Sequence, residues 1–343
     1  MVTYRGYKTY VQYDHETAFA TGGTPNTSIK GRISSVTINK NNNLLRTQGL
    51  GDCRNETFAG FGNFDVSWSM EYELGAFDFL QFAIGSTAGG IGNAGLGDAV
   101  SPFFLEEADF RGYTGSGAEL YSFALEVAAE DASGTDNVDT LSGCVINTVG
   151  FSLALGQTLK CSLEGFARRV VSSAAASAFT PDTTDLWIFS QGNFSWDATN
   201  RGRVQSISVN ISNNYDPEQG REIGSRFPEE MEPGLRKYDF VATMKMTSDD
   251  YVALRDDFYG QANSPHLGVA LSEPTAKNFI LDLSQGAASG NRNAQILLSE
   301  ARINDISKPI NIGDNIIECT VNGTAKRGTT DTTNKPIKWW TIS

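Results

Sequence analysis

The chain repeats one of its own segments, and this internal repeat constrains its fold more than any other feature. Residues 33–43 read ISSVTINKNNN and residues 204–214 read VQSISVNISNN, so matched positions lie 171 residues apart. The segments 158–169 and 316–327 also match, with a cysteine and a glycine at corresponding places. Because the repeats follow the same order along the chain, the sequence predicts two copies of one β-rich unit.

Alternating apolar and polar residues mark the same strands in both copies. A period of two residues is the signature of a strand with one face toward a core. In the second strand of each copy, this pattern aligns Asp65 with Asp239. The predicted strands are 31–39, 64–72, 203–211 and 238–246.

A further pair of strands ends the two copies, and each has a clear inner and outer face. In the strand 158–168, the period of two predicts that Lys160, Ser162 and Glu164 face away from the core. The residues predicted to be buried there are Leu159, Cys161, Leu163 and Ala167. Their predicted counterparts are Ile317, Cys319, Val321 and Ala325, with Glu318, Thr320 and Asn322 on the outer face.

Each copy also contains one short helix after its second strand. Apolar residues along one side of 76–84 predict a helix that ends at Gly85. In the second copy, Thr247 or Ser248 can cap a helix whose first turn is acidic, and Gly260 can end it.

These elements divide the chain into two tandem β domains of the same plan. The first carries a Gly-rich insertion, 86–117, and such a surface insertion costs little stability. An Ala/Ser/Thr-rich connector separates the two domains. The predicted segments are a lead-in 1–27, a first domain 28–170, a linker 171–198, a second domain 199–328 and a tail 329–343 that contains Trp339 and Trp340.

The composition is that of a folded, acidic protein. Of the 343 residues, 40% are hydrophobic, and the formal net charge is -13. Because an acidic surface repels phosphate, a protein that grips nucleic acid is disfavoured. The first residues lack the apolar segment of a signal peptide, and no apolar run approaches the length of a membrane helix. We therefore expect synthesis in the cytoplasm and no membrane contact.

The cysteines do not form a metal-binding pattern. Cys53, Cys144, Cys161 and Cys319 include no CxxC pair, so a zinc site is not expected. Cys161 and Cys319 occupy matched inward positions and are interpreted as core residues. A bridge between Cys144 and Cys161 is one possibility, and reduced thiols are the favoured alternative.

The sequence offers no set of catalytic or cofactor-binding residues. His15 and His266 lack a nucleophile at a motif spacing, so we interpret both as residues at the solvent edge. The Gly-rich segment 89–97 lacks the strand-to-helix context of a dinucleotide loop and is interpreted as a surface loop. The acidic turn 130–139 lacks EF-hand spacing, which favours a hairpin connection over a calcium site. No enzyme activity, cofactor or metal is expected.

Paired basic residues end the matched last strands of the two copies. These pairs are Arg168 with Arg169 and Lys326 with Arg327. We interpret them as salt-bridge partners of acidic neighbours, within a unit or between subunits. Nucleic-acid binding is the alternative, and the net charge disfavours it.

The repeated unit resembles the tail tube protein of tailed phages and tailed archaeal viruses. The resemblance rests on 33–43, on 204–214 and on GCVINTVGFSLALGQTLKCSLEG, residues 143–165, in which a Gly turn joins two strands. It covers approximately 28–170 and 199–328. It implies β-sandwich or β-barrel tube domains, each with a flanking helix.

The resemblance also implies an assembly and its partners. Such proteins form hexameric rings that stack around a lumen through which DNA passes without specific binding. Because this chain carries two units, three chains would complete a pseudo-hexameric ring, and the loops 40–63 and 212–236 would reach neighbouring rings. The implied partners are the tape measure, baseplate or distal tail and tail terminator proteins. The implied location is the tail tube of the virion, after assembly in the host cytoplasm.

Two other classes of function remain open from the sequence. One is another β-rich component of a tail, a baseplate or a contractile secretion tube. The other is a carbohydrate-binding or adhesin module, for which Trp339 and Trp340 could form an aromatic platform, although a docking tail explains the pair equally well.

Overall fold

A computed structural model shows that the chain is mainly β, as the sequence predicts. The named strand pairs are antiparallel across the described residues. The described residues are 9–47, 58–84, 103–106, 122–130, 136–173, 177–197, 199–200, 203–245, 247–260, 275–285, 293–309, 318–326 and 337–342.

The strands fall into an earlier and a later set. The earlier set is β1 Thr9–His15, β2 Thr27–Ser28, β3 Gly31–Asn41, β4 Leu45–Thr47, β5 Phe58–Gly60, β6 Asp65–Leu74, β7 Phe103–Glu106, β8 Phe123–Glu130, β9 Asp136–Ala154, β10 Lys160–Ala167 and β11 Arg169–Ser173. The later set is β12 Gly192–Trp196, β13 Thr199–Asn200, β14 Val204–Ser212, β15 Lys237–Lys245, β16 Lys277–Ser284, β17 Asn293–Ser307, β18 Glu318–Ala325 and β19 Ile337–Ile342.

Strand β9 is long because it takes part in two sheets. Its first half pairs with β8 on one edge and with β11 on the other, and β1 extends this sheet beyond β8. Its second half pairs with β10, and β6 and β3 follow in order. The earlier set is therefore built as two sheets that share β9. The apolar faces of both sheets contribute to one hydrophobic core.

The later strands repeat this pairing order. The first half of β17 lies between β16 and β19, with β12 beyond β16, and its second half continues through β18 and β15 to β14. Even the bulge recurs. Asn147 is skipped where β10 crosses β9, and Asn304 is skipped where β18 crosses β17. We propose that this recurrence reflects two tandem domains of one plan.

The cross-strand register corrects one alignment made from the sequence. Trp68 lies opposite Gly165, and Phe240 lies opposite Gly323, so Trp68 corresponds to Phe240. The prediction that Asp65 aligns with Asp239 is therefore wrong by two residues. A shift of two residues keeps every side chain on its original face, so the alternation alone could not reveal it.

The two matched glycines exist because an aromatic ring lies over each of them. A Cβ on Gly165 would meet the Val145 carbonyl oxygen and would stand 2.6 Å from Cζ2 of Trp68. A Cβ on Gly323 would meet the Phe240 ring and the Arg302 carbonyl oxygen. The repeat thus preserves a packing requirement of each unit.

We expect Gly165→Ala to lower the free energy of unfolding by about 3 kcal/mol, because the added methyl group overpacks against backbone and indole. Urea unfolding of the unassembled protein measures this. Ser162→Ala, on the exposed face of the same strand, is the matched control and should change stability by less than about 0.5 kcal/mol. Equal stability of the two variants would mean that the Trp68 ring can move aside.

The predicted faces of the last strands are confirmed. Leu159, Cys161, Leu163 and Ala167 are buried, whereas Lys160, Ser162 and Glu164 are exposed. In the later set, Cys319, Val321 and Ala325 are buried, Glu318 is exposed, and Thr320 and Asn322 lie on the outer face with it. Ile317 lies outside the described residues.

The buried cysteines are free thiols. Cys144, Cys161 and Cys319 form no disulfide, so the bridge between Cys144 and Cys161 is absent, and Cys53 lies outside the described residues. Burial raises the pKa of Cys161 to about 12 and also raises the pKa of Cys319. The folded chain therefore holds these thiols neutral. Their full contribution to the free energy of unfolding is present below the ordinary thiol pKa. It is lost as the pH rises from there through the folded pKa, because the unfolded chain ionises these thiols first.

The two predicted helices are present but unequal. A 3-10 turn, Asp78–Leu80, leads into α1, Gln81–Ile84; Phe79 and Leu80 of the turn and Ala83 of the helix are buried. The helix α2, Ser248–Tyr259, begins after Thr247, whose side chain accepts from the Asp250 amide, and ends at Gly260 with φ 72°. Gly85 lies outside the described residues.

Three segments predicted to flank the domains contain strands of the sheets. The lead-in provides β1, where Gln12 is buried and donates to Glu126 at 3.1 Å. The linker provides buried Trp187 and β12, and the tail provides β19, which pairs with β7 from the insertion. In β1 a buried polar pair interrupts the alternation, so the sequence pattern did not reveal this strand.

Candidate assembly surfaces

The two sets of strands are joined through backbone pairing within one chain. Strand β14 pairs with the outer edge of the second half of β9. Ile207 lies opposite Leu153 and Val209 lies opposite Phe151, and all four side chains are buried. The result is one continuous sheet in the order β3-β6-β10-β9-β14-β15-β18-β17, and we call the β9–β14 contact the joint.

This continuous sheet ends in two open edges. Among the described strands, β3 pairs only with β6, and residues 302–307 of β17 pair only with β18. The apolar side chains Val36 and Ile38 on β3 are half-buried, whereas their counterparts at the joint, Ile207 and Val209, are fully buried. The two open edges, on β3 and β17, therefore correspond to the two strand edges, of β14 and β9, that pair at the joint.

Just beyond the end of β14, Asn213 extends the joint with hydrogen bonds to the earlier set of strands. The backbone amide of Asn213 donates to the Asn147 carbonyl at 2.8 Å. Its buried side-chain amide donates to the carbonyls of Ala83 at 2.9 Å and Ile146 at 2.8 Å. The side chain of Asn147 in turn accepts from the Tyr215 amide at 2.8 Å. The bulge residue of one unit is thus the docking point for the other.

The predicted loop 212–236 packs against the earlier set of strands. Arg221 forms an ion pair with Asp65. Arg168 forms an ion pair with Glu229, which agrees with the interpretation of the basic residues as salt-bridge partners. The long loop, which the resemblance expects to reach a neighbouring ring, thus also makes ordering contacts within its own chain.

The other basic residues of the two matched pairs make the following contacts in the described part of the chain. The Arg169 side chain donates to the Ser142 hydroxyl at 2.9 Å instead of to an acid. The Lys326 backbone amide donates to the Glu300 carbonyl at 3.5 Å, and Arg327 lies outside the described residues.

The described parts of the loops 40–63 and 212–236 meet and form one surface. Arg226 joins them, because its guanidinium donates to the Gly62 carbonyl at 2.9 Å and to the Asn42 side chain at 3.0 Å, and lies 4.8 Å from the Phe61 ring centroid. Large apolar side chains point outward from this surface, which we call the loop surface; they are Leu44, Leu45, Phe61 and Ile223. Exposed apolar side chains grouped in this way mark an interaction site.

The outer face of the continuous sheet is polar. Hydroxyl and amide side chains dominate it, such as Ser208 and Asn210 on β14. Carboxylates such as Glu71 and Glu164 and lysines such as Lys160 lie among them. This face offers few sites of concentrated charge.

The residues considered for chemistry do not come together in the described part of the chain. His15 is exposed, with its ring 6.0 Å from Phe82, while His266 and the segment 89–97 lie outside the described residues. The acidic turn joins β8 to β9, which pair as a hairpin. Across the described ranges, no cluster of three or more His, Cys, Asp or Glu side chains could hold a metal. None of the described helices is long and apolar enough to span a membrane.

A continuous sheet with an internal joint, two open edges and an apolar loop surface defines a subunit of a larger assembly. The comparison with protein families identifies which assembly. The chain matches the family model of phage tail tube proteins over residues 6–334, and it therefore belongs to that family. A comparison with curated proteins finds no match. The chain is thus a structural component of a phage tail tube.

Proposed function

We propose that three chains close into a ring in which six units alternate around the circumference. The observation that carries this proposal is the joint, where the second unit of a chain completes the sheet of the first. The open edge of β3 has the same strand order behind it as β14, and the open edge of β17 corresponds to that of β9. A contact that repeats head to tail around a rotation axis closes a ring.

In this proposal the rings stack into a tube through the loop surface, which combines 40–63 and 212–236. The polar outer face of the continuous sheet lines the lumen, and the genome is delivered through it. Hydroxyl and amide side chains with charges of both signs among them give phosphates no cluster of cations to bind. Because the Debye length is about 8 Å at physiological salt, each charged side chain acts only on DNA that passes close by.

The tube proposal also specifies partners and location. The tube assembles in the host cytoplasm and resides in the virion. Its two ends and its interior meet the distal tail or baseplate, the tail terminator and the tape measure protein. The contacts at the two ends use the same ring faces that stack on one another within the tube.

Electron microscopy of the purified, concentrated protein tests this function. We expect rings with pseudo-sixfold symmetry, three chains per ring by native mass, and stacks of such rings. Single rings that never stack would instead favour a distal tail or baseplate component. A chain that stays monomeric at high concentration, with and without a tail initiator complex, would overturn the proposal. Binding to a glycan array by such a monomer would favour the adhesin alternative.

A further inference from the structure

We propose that Asn42 of one chain docks on the bulge at Asn304 of the next chain and locks the ring closed. This inference rests on the proposed ring and names the residues of its closing contact. Asn42 matches Asn213 in the repeat, and Asn304 matches Asn147. The intrachain joint therefore already shows the contact once, and each chain carries the two halves of a second copy at its open edges.

The backbone geometry of the two matched loops agrees with this assignment. Asn43 and Asn214 follow the two matched asparagines, and both adopt a left-handed backbone, with φ 41° and 52°. Such a conformation is uncommon outside glycine, so its recurrence shows that both loops leave their strands in the same way. Asn42 and Asn304 are exposed. The Asn42 oxygen accepts from Arg226 and the Asn304 amide donates to Thr324 at 3.4 Å, so the bonds proposed across the ring use the Asn42 amide and the Asn304 oxygen.

The joint predicts which hydrogen bonds form between chains. Asn213 donates to the Ile146 carbonyl at 2.8 Å, so the Asn42 side chain should donate to the carbonyl of Ile303 in the next chain. Asn147 accepts from the Tyr215 amide, so the Asn304 side chain should accept from the amide of Leu44.

The register of the closing strands follows as well. At the joint, Asn210 lies opposite Gly150 and Ser212 lies opposite Thr148. The equivalent pairs are Asn39 opposite Ser307 and Asn41 opposite Asp305, each formed between β3 of one chain and β17 of the next.

A cavity beside β3 supplies an independent reason to expect a neighbouring chain there. It has a volume of about 360 Å³ and is lined by Val11, Ile33 and Val36. The matched cavity beside β14, lined by Val204 and Ile207, measures only about 90 Å³. The smaller cavity is also lined by Leu153 and Phe189, and Leu153 comes from the paired strand β9. The larger one lacks the side chain that the paired strand supplies, and the sequence places Ile310 at the position of Leu153.

Disulfide trapping tests the register. In a Cys53→Ser background, Asn39→Cys with Ser307→Cys should give covalent dimers and trimers under mild oxidation, because opposed Cβ atoms lie about 4.5–5.5 Å apart. Asn39→Cys with Asp305→Cys is the control, because a diagonal pair lies about 7–8 Å apart and should cross-link at least tenfold less. Equal or reversed cross-linking in ring samples would overturn the register.

Two single substitutions test the lock. Asn42→Ala and Asn304→Ala should each raise the protein concentration needed for ring formation about fivefold, because each removes one interchain hydrogen bond. Asn193→Ala, an exposed asparagine on β12, should leave that concentration unchanged. Rings that form equally well in all three variants would overturn the lock and leave the proposed function standing. Absence of rings from the unsubstituted chain would overturn the proposed function itself.

Discussion

Replacement of Val36 by aspartate should abolish ring closure and leave the chain folded, whereas the same replacement at Ile207 should strongly destabilise the fold. The two residues occupy matched positions, and only their surroundings differ. Ile207 is 6% exposed at the joint, so an aspartate there would be a buried, unpaired charge that costs about 4 kcal/mol or more. Val36 lies at an open edge and is half-buried, so an aspartate there should cost about 1 kcal/mol.

Circular dichroism and urea unfolding measure the first effect, and electron microscopy measures the second. The Val36→Asp variant should keep its unfolding midpoint near that of the natural chain and form no rings at concentrations where the natural chain does. Normal rings from Val36→Asp would show that β3 is not the closing edge. A folded and stable Ile207→Asp variant would contradict the matched-position argument.

The second large effect concerns the loop surface. Phe61→Asp combined with Ile223→Asp should leave rings intact and prevent them from stacking into tubes. Both side chains are exposed, at 68% and 108%, so folding should not change, while two charges per chain would oppose contact between apolar faces. Deletion of 43–60 is the harsher form of this test and should also prevent stacking; because it removes the Leu44 amide from the closing contact, it should in addition raise the concentration needed for ring formation.

Val252→Asp is the matched control for stacking, because Val252 is an exposed apolar residue on α2, away from the loops. Tube length by electron microscopy is the measurement. Tubes of normal length from the Phe61 and Ile223 variant would remove the loop surface from the stacking contact. Loss of rings in that variant would mean that the loops act within a ring and not between rings.

The sequence could predict the strands whose faces differ sharply. In 158–168 every second residue is apolar, and the burial follows that pattern without exception. It could not predict register, since Asp65 and Asp239 fit the alternation as well as the true pairing does. Only the opposition of Trp68 to Gly165, a contact between distant residues, fixes the alignment.

The alternation of apolar and polar residues could not predict strands that bury polar side chains. In β1, Gln12 is buried because Glu126 on β8 accepts its hydrogen bond. Glu126 also accepts from the Ser177 amide at 3.2 Å and so ties down the connector that appeared to be a linker. Such residues look exposed in a sequence because their partners are far away along the chain.

From the sequence, the assembly surfaces could be recognised only as matched residues with no assigned role. The matched asparagines Asn42 and Asn213 stood out, yet nothing local indicates that one is buried at a joint and the other lies open. The difference arises from chain connectivity, since β14 has β9 of its own chain beside it while β3 has none. A repeat can therefore preserve a contact that only one of its copies makes inside the chain.

The joint also changes the kinetics of assembly. In a ring of six separate units, every contact would form by diffusional encounter, and each would cost translational and rotational freedom. Here the peptide chain from β11 to β12 holds two units together. The joint between these two units therefore forms at a high effective concentration. Only the alternate contacts then depend on collision. A nascent tube built from such paired units should add a complete ring in three binding events, with fewer partial rings exposed to wrong partners.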